Sequence, residues 1–188
     1  SEDYPGNSDP HVWFDLELWS KCTQCVADWL KQTYPGLSER IEKNKSDYLS
    51  QLKLLSTESK QIMSSIPQEQ KVLITAHDAF QYFGKQYGIQ VKGLLGLSTA
   101  DEASTKDIQD LAAFIVEKKI PAIFIESSVP TRYLDALTEA VQAKGFQVKM
   151  GGELFSDALG TTGTNESTFK GMYQHNVKTI AAGLSNQP

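Results

Sequence analysis

The amino-acid sequence predicts an α/β fold in which helices flank a parallel four-stranded sheet and a long strut helix precedes it. From residue 71 onward, short apolar segments alternate with helical patterns, which implies βαβ units and a sheet covered on both faces. Before residue 71, the periodic segments are helical. The second of them would be about 40 Å long at ~1.5 Å per residue, which is longer than a small lobe needs.

The composition is that of an ordinary globular protein, and it argues against two classes of partner. The chain has 188 residues, of which 40% are hydrophobic and 22% charged, and its formal net charge is −5. An acidic chain is not expected to bind nucleic acid or to dock on an anionic membrane. No apolar run approaches the ~20 residues that span a bilayer, and no signal peptide is visible. We therefore expect a chain that is cytoplasmic, or processed, or begins inside a longer protein.

The first helical segment is predicted to begin at Asp9, a good N-cap, with Pro10 at the first helical position. It is apolar on two faces, so it should be covered on two sides, which indicates a lobe that precedes this chain. Cys22 and Cys25 lie in mid-helix with no strand before them, which favours buried structural cysteines over a redox centre. The two apolar stripes are Val12, Leu16, Trp19, Val26, Leu30 and Phe14, Leu18, Cys22, Cys25, Trp29.

The second helical segment is predicted from Ser38 to Ile66, just before Pro67. It has one narrow apolar stripe and is otherwise polar or charged. A long surface helix on one domain and a strut between two lobes both fit this pattern, and the strut is slightly favoured. The stripe consists of Ile41, Tyr48, Leu52, Leu55, Ile62 and Ile66.

The remaining segments complete the predicted sheet and its helices. The strands are predicted at residues 71–76, 90–94, 121–125 and 146–150. A helix containing Phe80 and Tyr87 follows the first strand, and further helices are predicted at 101–119, 133–144 and 168–184. Gly145 is expected to end the third of these helices in the left-handed conformation.

Ligands of an open parallel sheet gather outside the carboxyl ends of its strands, so the residues that follow each strand matter most. His77 and Asp78 follow the first strand, and Glu126 ends the third. After the fourth strand, a predicted Gly151-Gly152 turn leads to Glu153 and Asp157. Imidazole nitrogen together with carboxylate oxygen is a ligand set for zinc, manganese or iron(II).

Each candidate also has a purely structural interpretation. His77 could cap the following helix, Glu126 could be a buried carboxylate held by backbone N–H groups, and Asp157 could form an Asx turn. His175 falls on the face of the last helix opposite its apolar stripe, and is interpreted as a solvated surface histidine.

Four segments together resemble the signature segments of the metal-receptor family of ABC importers, the TroA-like or ZnuA-like solute-binding proteins for zinc, manganese and iron. The order and the spacing agree over essentially the whole chain. The segments are Asp9-Pro10-His11-Val12-Trp13, Thr75-Ala76-His77-Asp78-Ala79-Phe80, Ile125-Glu126-Ser127-Ser128 and Phe155-Ser156-Asp157-Ala158-Leu159.

The resemblance implies two α/β lobes joined by one long helix, with the metal buried between them. It makes His11, His77 and Asp157 metal ligands, and it places Glu126 beside the site as a support, with Asp78 as a further candidate for that role. It also implies three parts of the chain: residues 1–36 as the end of the amino-terminal lobe, 37–67 as the connecting helix, and 68–188 as the carboxy-terminal lobe.

The family normally supplies another histidine from upstream of the D-P-H segment, so we expect this chain to be the carboxy-terminal portion of a receptor. It should capture a divalent metal outside the cytoplasm, with a lipid anchor in the full-length protein, and pass the metal to a membrane permease. No turnover is implied; a metalloenzyme and a surface adhesin remain alternatives. A chain without the other lobe should self-associate. His11 could then lie apart from His77 and Asp157, because nothing would hold the D-P-H turn in place.

Overall fold

A computed structural model of the chain describes residues 8–100 and 102–185, and its elements follow the predicted order. The helices are α1 (Leu16–Thr33), α2 (Ser38–Met63), α3 (Gln81–Tyr87), α4 (Thr105–Lys118), α5 (Arg132–Ala143) and α6 (Phe169–Leu184). The strands are β1 (Val72–Thr75), β2 (Gln90–Gly93), β3 (Ala122–Glu126) and β4 (Lys149–Leu154). Short 3-10 helices occur at Val12–Phe14, Pro35–Leu37, Gln68–Gln70 and Asn165–Ser167.

The four strands form one parallel sheet in the order β2-β1-β3-β4, which confirms the predicted fold class. Leu73 and Phe124 face one side of the sheet, where they pack in a core with α2, α3 and α6. Ile74 and Ile123 face the other side, where they pack with α4 and α5. The two faces alternate along each strand because successive side chains of a strand point in opposite directions.

The chain before α1 differs from the prediction. Helix α1 begins at Leu16, and its N-cap is Asp15, whose Oδ1 accepts hydrogen bonds from the backbone N–H groups of Glu17 and Leu18 at 2.8 and 3.0 Å. Asp9 does not cap this helix, because its carboxylate accepts a hydrogen bond from the His11 backbone N–H at 2.9 Å instead. The predicted helix start at Asp9 is therefore wrong, and the segment between is a 3-10 turn.

Strand β4 lies further along the chain than predicted, and Gly151-Gly152 is part of it rather than a turn. A Cβ on Gly151 would lie 2.6 Å from the Phe124 ring, so only glycine fits where β4 crosses this core side chain. Gly152 has a φ of 129°, at the point where the pairing with β3 shifts register. Glu153 is consequently a strand residue beside Ile125, not the loop residue that was predicted.

Two helix boundaries bear on other predictions. Helix α4 begins after Ser104, which forms a capping box with Asp107, whereas the predicted start at residue 101 lies outside the described residues. Gly145 follows α5 with a φ of 81°, as predicted.

Among residues 8–100 and 102–185, no helix combines the length and the apolar character needed to cross a bilayer.

The helices α1 and α2 form an antiparallel pair that joins the α/β body at one end. The Trp19 Nε1–H donates to the Tyr48 hydroxyl at 3.1 Å across the pair, whereas Val26 and Trp29 of α1 are 57% and 60% exposed. Cys25 is exposed and Cys22 half-buried, so the prediction of two buried cysteines is wrong for Cys25. Self-association through the apolar face of α1 stays a prediction.

The predicted division at residues 36 and 67 also stays a prediction, but the first part of the chain packs on the last. Phe14 and Leu16 are buried in the same core as the helices and strands of the α/β body. The Phe14 ring stacks on Phe80 with the centroids 4.5 Å apart, and the Tyr173 hydroxyl donates to the Phe14 carbonyl at 3.2 Å. The segment that carries the D-P-H motif is thus fastened to the sheet layer.

Candidate metal site

His77 follows β1 and is completely buried. Its backbone N–H donates to Oε1 of Glu126 at 2.8 Å, and its ring Nδ1 lies 2.6 Å from Oε2 of the same carboxylate. So short a contact between two buried polar groups fixes the orientation of the ring electrostatically. Glu126 ends β3, the strand next to β1, so the sheet itself sets the position of this imidazole.

His11 has the same kind of support from a different part of the chain. Its Nδ1 lies 2.7 Å from Oδ1 of Asp9, which also accepts the His11 backbone N–H. The His11 side chain is buried, and its ring meets the His77 ring edge to face with the centroids 5.3 Å apart. Each imidazole thus has a carboxylate at Nδ1, which leaves Nε2 as the atom that can bind a ligand.

Asp157 completes the cluster from the segment that follows β4. Its Oδ1 lies 3.4 Å from Nε2 of His11, and its Oδ2 lies 3.4 Å from Nε2 of His77. One potential donor atom from each of these three residues lies within 4.8 Å of the other two. The Asp157 side chain is 34% exposed, so the cluster is closed on the side of the imidazoles and open on the side of the carboxylate.

The D-P-H segment is held over the carboxy-terminal body by direct contacts. The Trp13 Nε1–H donates to the carbonyl oxygen of Ser156 at 3.1 Å, immediately before the aspartate of the cluster. The Trp13 ring also meets the His11 ring edge to face at 5.3 Å. The expectation that His11 lies apart from His77 and Asp157 is therefore wrong, because aromatic packing and hydrogen bonds fix this turn.

The electrostatics of the cluster favour two charged rings around an ionised carboxylate. Burial lowers the pKa of His11, but hydrogen bonds with Asp157 and Asp9 outweigh it and raise the pKa to about 9. For His77, burial again lowers the pKa, and Asp157 and Glu126 raise it to about 9. The two imidazoles in turn hold the pKa of Asp157 well below its ordinary value. A metal ion would have to displace the protons on the rings.

The chemistry of the donors fits a transition-metal ion. The His77 Nε2 is buried, and Oδ2 of Asp157 faces it at 3.4 Å without forming a hydrogen bond of good geometry. A cation bound between this atom, His11 and Asp157 would use its lone pair. Two imidazole nitrogens and a carboxylate oxygen are a set that zinc, manganese and iron accept, and a tetrahedral zinc site would need one more donor.

Other candidate residues lie elsewhere. Asp78 is buried and accepts a hydrogen bond from Gln81 at 2.8 Å, beside a cavity formed with α4 and the end of β2; its supporting role at the metal site stays a prediction. His175 is not simply solvated, because its Nε2 lies 2.9 Å from the Glu153 carbonyl and its ring packs on Phe155 at 5.1 Å.

The structure adds residues that the sequence analysis did not assign to the site. Asp9 was interpreted as a helix cap and as the first residue of the D-P-H segment, but not as a support of the site, although its place two residues before His11 is a detectable signal. Asn176 was not singled out, although it is a polar residue between Met172 and Ile180 on the apolar stripe of α6. It is completely buried and bonded to the backbone of Phe155.

The fold and the donor cluster define the class of protein: a parallel α/β protein with a candidate transition-metal site at the carboxyl ends of its strands. The chain belongs to the ZnuA family, described as zinc-uptake complex component A, periplasmic, which matches residues 1–183.

Two curated relatives are similar over almost the whole chain. Zinc-binding protein TroA of Treponema pallidum (strain Nichols) is 51% identical over 177 residues, which cover 94% of this chain and 58% of that protein. Manganese-binding lipoprotein MntA of Bacillus subtilis (strain 168) is 42% identical over 176 residues, with coverages of 94% and 58%. This chain therefore spans 58% of the length of each relative.

Solved structures agree with this assignment. The periplasmic zinc binding protein TroA from Treponema pallidum has a TM-score of 0.94 and 50% identity over 96% of this chain and 65% of that chain. Fe(III)-bound YtgA from Chlamydia trachomatis has a TM-score of 0.85 and 26% identity over 96% and 65%. The likeness to TroA confirms that the α/β fold predicted from the sequence is the fold of the family.

Proposed function

We propose that this chain is the metal-binding part of an extracytoplasmic solute-binding receptor, which captures a transition-metal ion for an ABC importer. The observation that carries the proposal is the convergence of His11, His77 and Asp157, whose donor atoms come from three separate parts of the chain. Carboxylates compensate the two buried imidazoles in the metal-free chain, and a divalent cation bound beside Asp157 would take the place of the protons on the two Nε2 atoms.

The arrangement supports binding rather than catalysis. A catalytic metal site needs an acid or base that is free to act beside the ion. Both oxygens of Glu126 contact His77, and Asp9 contacts His11, so these two carboxylates are committed to orienting the rings. The relatives TroA and MntA are named as binding proteins, which fits a receptor without turnover.

The metal is proposed as one of zinc, manganese or iron. The similar proteins are described as zinc-binding (TroA), manganese-binding (MntA) and Fe(III)-bound (YtgA). The donor set accepts all three metals, and geometry together with availability selects among them. Water, or a donor outside this chain, would complete the coordination.

The cellular setting is also a proposal. TroA is described as periplasmic and MntA as a lipoprotein, so we place this receptor in the periplasm or on the outer face of the cytoplasmic membrane, with a lipid anchor in the full-length protein. Its partner would be the permease of the importer. With a net charge of −5, nucleic acid is not an expected partner.

Calorimetric titration of the chain with zinc and with manganese tests the proposal. We expect one ion per chain for the natural sequence and no measurable binding for His77→Ala, because that variant loses the buried nitrogen donor. Leu137→Ala is the control, since Leu137 is equally buried but lies in the core formed with α4 and α5 and is not one of the three donors. Undiminished binding by His77→Ala would contradict the proposed site.

A further inference from the structure

Asp157 differs from the two histidines because it lies in a segment without regular secondary structure. Strand β4 ends at Leu154, and the next element begins at Asn165. The carboxylate nevertheless reaches both imidazoles at 3.4 Å. Something other than a helix or a strand must therefore fix the backbone just before Asp157.

Asn176 fixes that backbone from α6. Its Oδ1 accepts the backbone N–H of Phe155 at 3.0 Å, and its Nδ2 donates to the carbonyl oxygen of Phe155 at 2.7 Å. A side-chain amide offers the same donor and acceptor as a peptide group. Asn176 thus pairs with Phe155 as a neighbouring strand would, directly after the last residue of β4.

Ser156, the next residue, is held from two other directions. Its hydroxyl lies 2.8 Å from the hydroxyl of Ser128, which follows β3. Its carbonyl oxygen accepts the hydrogen bond from the Trp13 ring at 3.1 Å. The two residues before Asp157 are therefore anchored to α6, to the end of β3 and to the segment that carries His11.

The place of Asn176 in the helix indicates that these bonds are specific. It is completely buried on the apolar stripe of α6, next to Val177. An amide at such a position lowers stability unless its polar atoms are hydrogen-bonded. Both are bonded to Phe155, which lies two positions before the aspartate, and Nδ2 also donates to the Met172 sulfur at 3.4 Å.

We propose that Asn176 is a positioning residue for the metal site, which holds the Asp157 carboxylate ready between the two imidazoles, with Ser128 as a weaker second anchor. This inference rests on the proposed metal-binding function. Without the Asn176 bonds, the segment loses its fixed start and the carboxylate occupies several positions. The ion then has to order this ligand when it binds, so the affinity falls.

The test compares Asn176→Ala with Val177→Ala, a matched truncation of the adjacent buried residue on the same helix. Zinc affinity is measured by competition with a chelator, and thermal melts record the stability of each variant. We expect Asn176→Ala to weaken zinc binding about 10-fold or more, within the range typical of residues that orient metal ligands. Val177→Ala should keep its affinity even when its melting temperature falls as far.

Cobalt(II) provides a second readout that a general loss of stability does not change. At saturating cobalt, the visible absorption bands report the coordination of the ion. We expect Asn176→Ala to reach the bands of the natural sequence only at higher cobalt concentrations, because its carboxylate is still present but has to be ordered by the ion. The bands of Asp157→Ala should differ even at saturation, because that variant has lost the ligand. A cobalt titration of Asn176→Ala that coincides with that of Val177→Ala would overturn the inference.

Two further outcomes remain decisive. If circular dichroism shows that Asn176→Ala does not fold, Ser128→Ala takes its place, because it removes only the hydroxyl contact with Ser156. That variant should lose zinc affinity a few-fold, and an unchanged affinity would overturn the inference. If the natural sequence binds none of zinc, manganese, iron and cobalt, the proposed function itself fails, and the inference fails with it.

Discussion

His77 and Asp157 face each other across the candidate site, but the chain holds them in different ways. His77 is completely buried at the end of a central strand, and a carboxylate on the neighbouring strand orients its ring. Asp157 lies on an irregular segment and is one-third exposed. The sheet therefore builds one side of the site, whereas side-chain contacts to the backbone place the other.

We call the side formed by His77 the inner side and the side formed by Asp157 the outer side. The difference predicts that the inner side is in place before the ion arrives, whereas the outer side is easier to disturb. Rigid elements hold ligands more accurately than loops do. An ion that enters from the open side would meet the Asp157 carboxylate first and the His77 nitrogen last. The predictions below test whether the two sides behave differently.

The largest expected effect separates the two ligands directly. His77→Ala should abolish zinc binding, whereas Asp157→Ala should leave weak binding through the paired imidazoles of His11 and His77. The loss in Asp157→Ala should exceed the roughly 10–100-fold that follows from removing an outer partner of a ligand. Titration calorimetry measures both. Equal, complete losses would show that the two sides do not differ.

Acidity should weaken zinc binding through the two imidazoles. Because the pKa of each imidazole is raised to about 9 in the metal-free protein, zinc has to displace up to two protons near neutral pH. The apparent zinc affinity should fall about 10–100-fold for each pH unit below about 9, where one or two protons are released per ion. Titrations in buffers of different ionisation enthalpy count the protons, and a pH-independent affinity would contradict this prediction.

The same shifts make the stability of the metal-free protein depend on pH. A folded-state pKa of about 9, above the ordinary 6.5, contributes stability that is complete below pH 6.5 and lost as the pH rises through about 9. The melting temperature of the metal-free chain should therefore fall between pH 6.5 and 9. In His77→Ala this fall should be smaller.

Glu126→Gln tests the support of the inner side. The amide can still accept the His77 backbone N–H, but it cannot place a second carboxylate oxygen beside the ring Nδ1. We expect zinc affinity to fall about 10–100-fold. Glu153→Gln is the matched control, because it removes an exposed carboxylate from the adjacent strand β4. Equal affinities of the two variants would assign Glu126 a role in folding alone.

Trp13→Phe tests the link between the two sides. The change removes the hydrogen bond to Ser156 but keeps a ring beside His11. A hydrogen bond contributes about 1 kcal/mol, so zinc affinity should fall about fivefold. Trp29→Phe is the control, since Trp29 is exposed on α1. If both variants bind zinc equally, the link does not contribute to the site.

The smallest expected effect concerns the cysteines. Cys22 and Cys25 lie on α1, and neither belongs to the donor cluster. Changing both to serine should leave zinc affinity unchanged and lower the melting temperature only slightly, through the half-buried Cys22. A large loss of zinc binding in the double variant would mean that α1 contributes to the site.

The sequence predicted the sheet and the inner side of the site because both depend on local pattern. The alternation of apolar strands and helices identified the fold, and His77 followed from its place after a strand. His11 was reached only through a resemblance, because its position depends on how Trp13 and Phe14 pack on distant parts of the chain. No local pattern contains that information.

The errors have the same origin. Gly151-Gly152 resembles a turn locally, but the Phe124 ring requires glycine at that crossing, so the strand continues through it. Asn176 is visible as a polar residue on an apolar stripe, but nothing in the sequence identifies Phe155 as its partner. The outer side of the site depends on such pairings, so it could not be predicted from the sequence.

The tripeptide Glu126-Ser127-Ser128 joins both sides of the site. Glu126 contacts His77, the Ser127 N–H donates to the Leu154 carbonyl, and Ser128 contacts Ser156. For the evolution of this protein, insertion of one residue here would displace the supports of an imidazole and of a carboxylate together. Descendants of this sequence can therefore exchange side chains at these positions more easily than they can change the length of the segment.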